Sequence, residues 1–254
     1  MKKTMLALSA LSLISVGHAG TMGDTKPVHP ITPFIAGEAS YTWNTINTFT
    51  IGALTASETN QGWGGRLSTG LAYSYNDKVK LIGEAGGGYY GSTNLSISNE
   101  ASSRLGIDGY DILAGASYTL GQFNLFENIP VSAFDNMPGQ FDVFFKFGFM
   151  VENVRRTVTT VLANAIPGGV YNGTIVSKYI TTQVYPEIKV GGDYNLNDNW
   201  AATVAYMHVF GTSPGGTTQV TATSAPAAIT QNSSNTLSNP TLNSIMFGLR
   251  YSFV

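Results

Sequence analysis

Charged side chains (Asp, Glu, Lys and Arg) make up only 11% of this 254-residue chain, against about a quarter in an ordinary globular protein. Those that matter recur at alternate positions of otherwise apolar segments. Glu38, Glu84, Asp111, Asp142, Glu152, Glu187 and Asp193 are the acids of this set, and Arg66, Lys80, Lys146, Lys189 and Arg250 are the bases. Opposite charges gathered on one face either neutralise each other as a structural network or form a path for ions or protons. Glu38, Glu84, Lys146, Glu187, Lys189 and Arg250 lie nearest the centres of their segments and are expected to form one ion-pair network, because buried charge must be paired or solvated.

Other chemistry is thinly supplied. Cysteine is absent, which excludes disulfides, thiol catalysis and cysteine metal sites. Of three histidines, His18 lies in a leader-like segment and His29 precedes the first strand. His208 is followed by Ser213, a pairing that hydrolysis of a lipid or ester could use. Such a reaction needs the base about 2.6–3.2 Å from the nucleophile and a third group to orient it. Residues 204–213 offer no such group. Asn76-Asp77 and Asn197-Asp198-Asn199 are turn residues without a calcium loop around them. Gly86-Gly87-Gly88 is followed by no helix and is no phosphate loop; it fits curvature or close approach of a neighbouring side chain. No catalytic, cofactor or metal site is expected, and no basic patch suggests nucleic acid.

The segments that carry these charges read as strands. From residue 141 to 153 the sequence is Phe-Asp-Val-Phe-Phe-Lys-Phe-Gly-Phe-Met-Val-Glu-Asn. Successive strand side chains face opposite sides. Phe141, Val143, Phe145, Phe147, Phe149 and Val151 therefore share one face, and Asp142, Lys146 and Glu152 the other. The same alternation places strands at about 33–42, 66–75, 79–91, 109–120, 141–154, 181–195, 200–210 and 243–254. Connections alternate in length. Residues 75–78 and 196–199 are tight polar turns, whereas 43–65, 92–108, 155–180 and 212–242 are long and rich in Thr, Ser, Asn and Gly. In an up-and-down meander, all four long connections fall at one end. Residues 155–180 open with alternating Thr and Val and could extend the wall as a hairpin. Residues 121–140, which hold Phe123, Leu125, Phe126, Ile129 and Phe134 with Pro130 and Pro138 as breakers, are expected to fold as a flap at the opposite rim.

The apolar face decides what surrounds the sheet. Across these eight segments, no Asp, Glu, Lys or Arg falls on it. A soluble barrel would keep most of its charge on its outer surface. A membrane barrel turns its apolar face to lipid and its polar face inward. Tyr73, Tyr75, Tyr118, Tyr194, Trp200 and Tyr251 near the tight turns, and Tyr41, Tyr89, Tyr110 and Phe210 near the long connections, fit two interfacial girdles. The fold expected is all-β, an eight-stranded antiparallel up-and-down transmembrane β-barrel spanning 33–254. Residues 1–19, with Lys2-Lys3, an apolar stretch and Gly17-His18-Ala19, fit a secretory signal peptide. Residues 20–32 would be a short periplasmic N-terminal segment.

The terminal strand, Ile245-Met246-Phe247-Gly248-Leu249-Arg250-Tyr251-Ser252-Phe253-Val254, resembles the insertion signal of Gram-negative outer-membrane barrels, with Phe253 one residue before the last position. With the loop asymmetry, it makes the chain similar to the small OmpA/OmpX-type outer-membrane β-barrels, the opacity-protein and OmpA transmembrane-domain group. Gly20-Thr21-Met22-Gly23 also resembles the mature start of Legionella outer-membrane proteins. The resemblance is one of architecture. It implies outer-membrane lipid as partner and a host or surface ligand at the external loops. The charge network would fill the lumen. A structural or surface-recognition role comes first, a narrow porin-like channel second and a lipid-acting enzyme third. The soluble peptidoglycan-binding domain that often follows such barrels is not implied by a chain that stops on its last strand.

Overall fold

The computed structural model describes residues 31–51, 54–98, 101–123, 139–163, 172–211, 218–223, 229–233 and 240–254. The signal peptide, most of the 20–32 segment and residues 124–138 of the expected flap lie outside them. The strands are β1 (Ile31–Ile51), β2 (Leu54–Ser74), β3 (Val79–Ser98), β4 (Ala101–Phe123), β5 (Gly139–Ala163), β6 (Asn172–Asn195), β7 (Trp200–Val209), β8 (Thr218–Thr223), β9 (Ile229–Ser233) and β10 (Leu242–Ser252). All pairings are antiparallel. β1 through β7 follow one another around the wall, and β10 closes it between β7 and β1. That gives the eight-stranded closed barrel expected. β8 and β9 form a hairpin that pairs with the upper part of β6, from Thr174 to Tyr179. They add to the sheet without entering the ring.

Both tight turns use one device. Asn76 Oδ1 accepts hydrogen bonds from the backbone N–H groups of Lys78 at 2.9 Å and Val79 at 2.8 Å. Asn197 Oδ1 does the same for Asn199 at 2.9 Å and Trp200 at 2.8 Å. An asparagine side chain that imitates a backbone turn in this way fixes the hairpin register.

At the other end the strands run further than their sequence patterns indicated. The β1–β2 ladder continues to Ile51 and Leu54, and the β3–β4 ladder to Ser98 and Ala101. Residues 43–65 and 92–108 are therefore mostly hairpin wall, not loop. β1 also begins at Ile31, two residues before the expected start. The 155–180 hairpin is present, with pairing from Arg155↔Ile180 to Ala163↔Asn172.

The faces divide as the alternation requires. On the outward side, Leu67 is 74% exposed, Ile112 71% and Phe147 59%. Val143 to Val151 covers about 27 Å along β5, or about 20 Å of height at the usual tilt, close to the apolar band of a membrane barrel. Beyond Val151 the wall continues to Ala163, about 40 Å of strand and about 30 Å of height. Aromatic rings bound the band. At the hairpin end, Trp63 packs edge-on to Tyr41 with centroids 5.3 Å apart, and the row runs on through Trp43, Tyr206 and His208 to Phe210. At the turn end, Trp200, Tyr251 and Phe253 stack edge to face at 5.0 Å spacings.

Tyr194 departs from the expected girdle. It is buried, because its ring lies over the space beside Gly139, while Phe141 on the paired strand lies over Gly192. Each aromatic covers a bare glycine backbone, the cross-strand arrangement that compensates glycine in a sheet.

Candidate functional site

The lumen holds the chain's reactive groups, and it is built in layers. The central layer is organised by Arg66 of β2, which is 2% exposed. Its Nε donates to Asp111 Oδ2 at 2.8 Å and its Nη1 to Glu38 Oε2 at 2.9 Å. It also pairs with Glu84 and makes a second bond to Asp111. Lys189 Nζ donates to both oxygens of Glu38 at 2.7 Å. Lys146 donates to Glu84 and lies 4.4 Å from the centre of the Phe144 ring. Three carboxylates thus face three cations, drawn from six of the eight barrel strands.

Glycine makes room for the hub. A Cβ on Gly86 would lie within 2.5–2.8 Å of the Arg66 guanidinium atoms. On the other face, one on Gly87 would meet the Tyr110 ring at 2.8 Å. Two residues of the Gly86-Gly87-Gly88 run are seats for side chains of the neighbouring strands. Further along β3 the ladder carries a bulge. Tyr89 pairs with Asp108 and Ser92 with Gly106, so Tyr90 and Gly91 together oppose Ile107. Gly91 has φ +103°, a conformation open to glycine at no steric cost. Tyr90, on the same inward face as Glu84, is fully buried, its hydroxyl donating to Asp111 at 3.4 Å.

Of the six residues expected in one network, Glu38, Glu84, Lys146 and Lys189 come together. Arg250 does not join them. It pairs with Asp193, which also accepts from Thr203 Oγ1 at 2.6 Å. Glu187 is buried, but neither carboxylate oxygen has a hydrogen-bond partner. Arg66 and Asp111, both on the inward list, are the members that the mid-strand criterion passed over. Period-two alternation gives the face of a residue but not its height in a tilted barrel. That height decides which charges meet.

Below the central layer stand two separate pairs, Arg250–Asp193 and Lys80–Asp142, the latter at 3.0 Å. They border a vestibule of about 450 Å³ at the turn end, lined also by Phe34, Ser74, Ser117, Gln140, Asn195 and Ser252. Above the central layer the lumen turns apolar. Tyr90, Ile107, Met150, Met207, Val209, Leu242 and Met246 are all fully buried there. Glu152 is buried among them, with no hydrogen bond to either oxygen. The expectation of a lumen filled by charge alone is corrected on this point, since hydrocarbon fills its hairpin-side part.

His208 sits outside, in the aromatic row. Its Nδ1 lies 2.8 Å from Asn243 Oδ1, which also accepts from the Tyr206 hydroxyl at 2.7 Å. Because the amide oxygen can only accept, Nδ1 is the donor. The ring is tied up in an interfacial contact, and Ser213 lies outside the described residues. Among the described residues, no group of three or more His, Asp or Glu side chains is placed to hold a metal ion.

A closed barrel satisfies every wall hydrogen bond internally, and this one turns a charge-free apolar band outward between two aromatic girdles. Only such a structure, or a helix, can cross a bilayer. The chain is a transmembrane β-barrel.

No family profile matches the chain and no curated protein sequence matches it. Solved structures do. Ail, the attachment invasion locus protein of Yersinia pestis, aligns at 10% identity over 87% of this chain and 98% of its own, with a TM-score of 0.40. Neisserial surface protein A aligns at 12% identity over 87% and 97%, with a TM-score of 0.41. The outer membrane protease OmpT of Escherichia coli aligns at 11% identity over 91% and 99%, with a TM-score of 0.40. These are likenesses of architecture, and no residue role follows from them.

Proposed function

We propose that this protein acts at the surface of a Gram-negative outer membrane, through the hairpin walls that project beyond the lipid, and that it is neither a pore nor an enzyme. In this reading the first nineteen residues direct export, and residues 20–32 and the tight turns face the periplasm. The observation that carries it is the contrast between lumen and wall. Among the described residues, the lumen is occupied by the Arg66 cluster and then by packed apolar side chains with the buried Thr42–Ser244 pair and Glu152 among them, which leaves little room for solute. The wall continues for about 30 Å above the band, which a barrel serving only as an anchor does not need. The projecting residues are mostly Thr, Ser, Asn and Gly, with few charges. Such a surface suits a neutral, hydrogen-bonding partner such as a host glycan or protein.

The test replaces residues 158–177 with a two-residue Asn-Gly turn, joining β5 to β6 at the Thr157↔Lys178 rung. The shortened chain is expected to insert and fold as the full chain does. Cells producing it are expected to lose the adhesion to immobilised matrix proteins and glycans that full-length producers show. Equal adhesion by cells producing the two chains would contradict the reading.

A further inference from the structure

The rim of the lipid band at the hairpin end is not uniform. On β2, β1 and β7 it is aromatic, from Trp63 round to Phe210. On β4, β5 and β6 the second and third outward rungs beyond the band carry cations. Arg104 and Lys178 are exposed on the two strands flanking Thr157, one on each side of it. Arg155 is exposed on the same face, one outward position nearer the membrane. With strands about 4.8 Å apart and same-face residues about 6.6 Å apart, the three charges occupy a patch roughly 10 Å across.

The patch has a fixed base. Arg155 pairs with Asp108 at 3.1 Å. Asn153 Nδ2 donates to Asp108 at 3.4 Å, and Thr182 Oγ1 donates to Asn153 Oδ1 at 2.7 Å. This row crosses all three strands just above Tyr110, Val151 and Val184, where the band ends. Asp108 is the one carboxylate on the outward face here among the described residues. Three cations against one acid leave the patch net positive at the height of the lipid headgroups. Arginine's planar fork matches phosphate oxygens in pairs, and each cation held beside an anionic lipid surface adds to the attraction.

We infer that the outward face of β4, β5 and β6, immediately beyond the apolar band, binds the phosphate groups of the phosphorylated glycolipid in the surrounding leaflet. The aromatic sector would meet the lipid through ring contacts, and the cationic sector would hold it by charge. The barrel then has one preferred side for its lipid neighbours. The choice of glycolipid rests on the outward orientation proposed above. The binding itself does not, because it is measured in detergent.

Full-length folded protein is titrated with lipid A in mild detergent, and bound lipid is counted by native mass spectrometry. The triple variant Arg104→Gln/Arg155→Gln/Lys178→Gln is expected to bind on the order of tenfold more weakly. Enzymatically dephosphorylated lipid A should lose as much with the natural chain, and Lys78→Gln at the turn end should change nothing. If the triple variant fails to fold by circular dichroism, Arg104→Gln/Lys178→Gln leaves the Asp108 row intact and serves the same comparison. Equal binding by natural and variant chains, or undiminished binding of the dephosphorylated lipid, overturns the inference. Displacement by inorganic phosphate at equal concentration overturns the assignment to lipid and leaves a free-anion site.

Discussion

Replacing Arg66 with methionine is expected to destabilise the barrel by about 3–5 kcal/mol, the usual cost of removing one partner from a buried ion pair. The substitution leaves Glu38, Glu84 and Asp111 facing only Lys146 and Lys189. Asp111 suffers most, since its other hydrogen bond is the long one from Tyr90. Removing both partners should therefore be milder than removing one. Arg66→Met combined with Asp111→Leu is expected to recover part of the loss, because the remaining cluster again has as many cations as carboxylates. Urea unfolding of the protein folded into lipid vesicles measures both. A neutral Arg66→Met would mean that water or another ion already satisfies the three carboxylates.

The second large effect lies on the outside. Phe147→Arg places a charge at the middle of the apolar band, and the expected cost is about 2–4 kcal/mol or failure to insert. Thr159→Arg, on the same strand and face but beyond the band, should stay within about 0.5 kcal/mol. The chain already tolerates Arg155 on this face, at the depth where the band has ended. Equal costs at the two positions would remove the distinction between belt and projecting wall.

The sequence exposed the face of each strand more readily than its length or height. Phe141 to Val151 alternates so strictly that band, lumen and register follow from it. The walls at 43–65 and 92–108 were hidden because Thr, Ser, Asn and Gly dominate them, although Leu105 and Ile107 still alternate and turn inward. Above a membrane there is no lipid to demand an apolar outward side, so a strand there carries a weaker alternation and reads as a loop. Tyr90 shares the inward face of Glu84 by regular alternation, and a reading of the charged side chains of that face alone passes over it. Height in the barrel split the expected network. Arg250 and Lys146 both face inward, but Arg250 belongs to a lower level, beside Asp193. Trp43 and Trp63 lie in a segment that reads as a connection, yet they belong to the aromatic girdle.

The central claim is that this is a membrane barrel whose lumen is shut. Current across a planar bilayer holding the natural protein tests it most directly. The ion cluster and the apolar layer above it predict a baseline no different from bare lipid, with at most rare, brief openings. A steady, long-lived conductance, reproducible from one insertion to the next, would contradict the account.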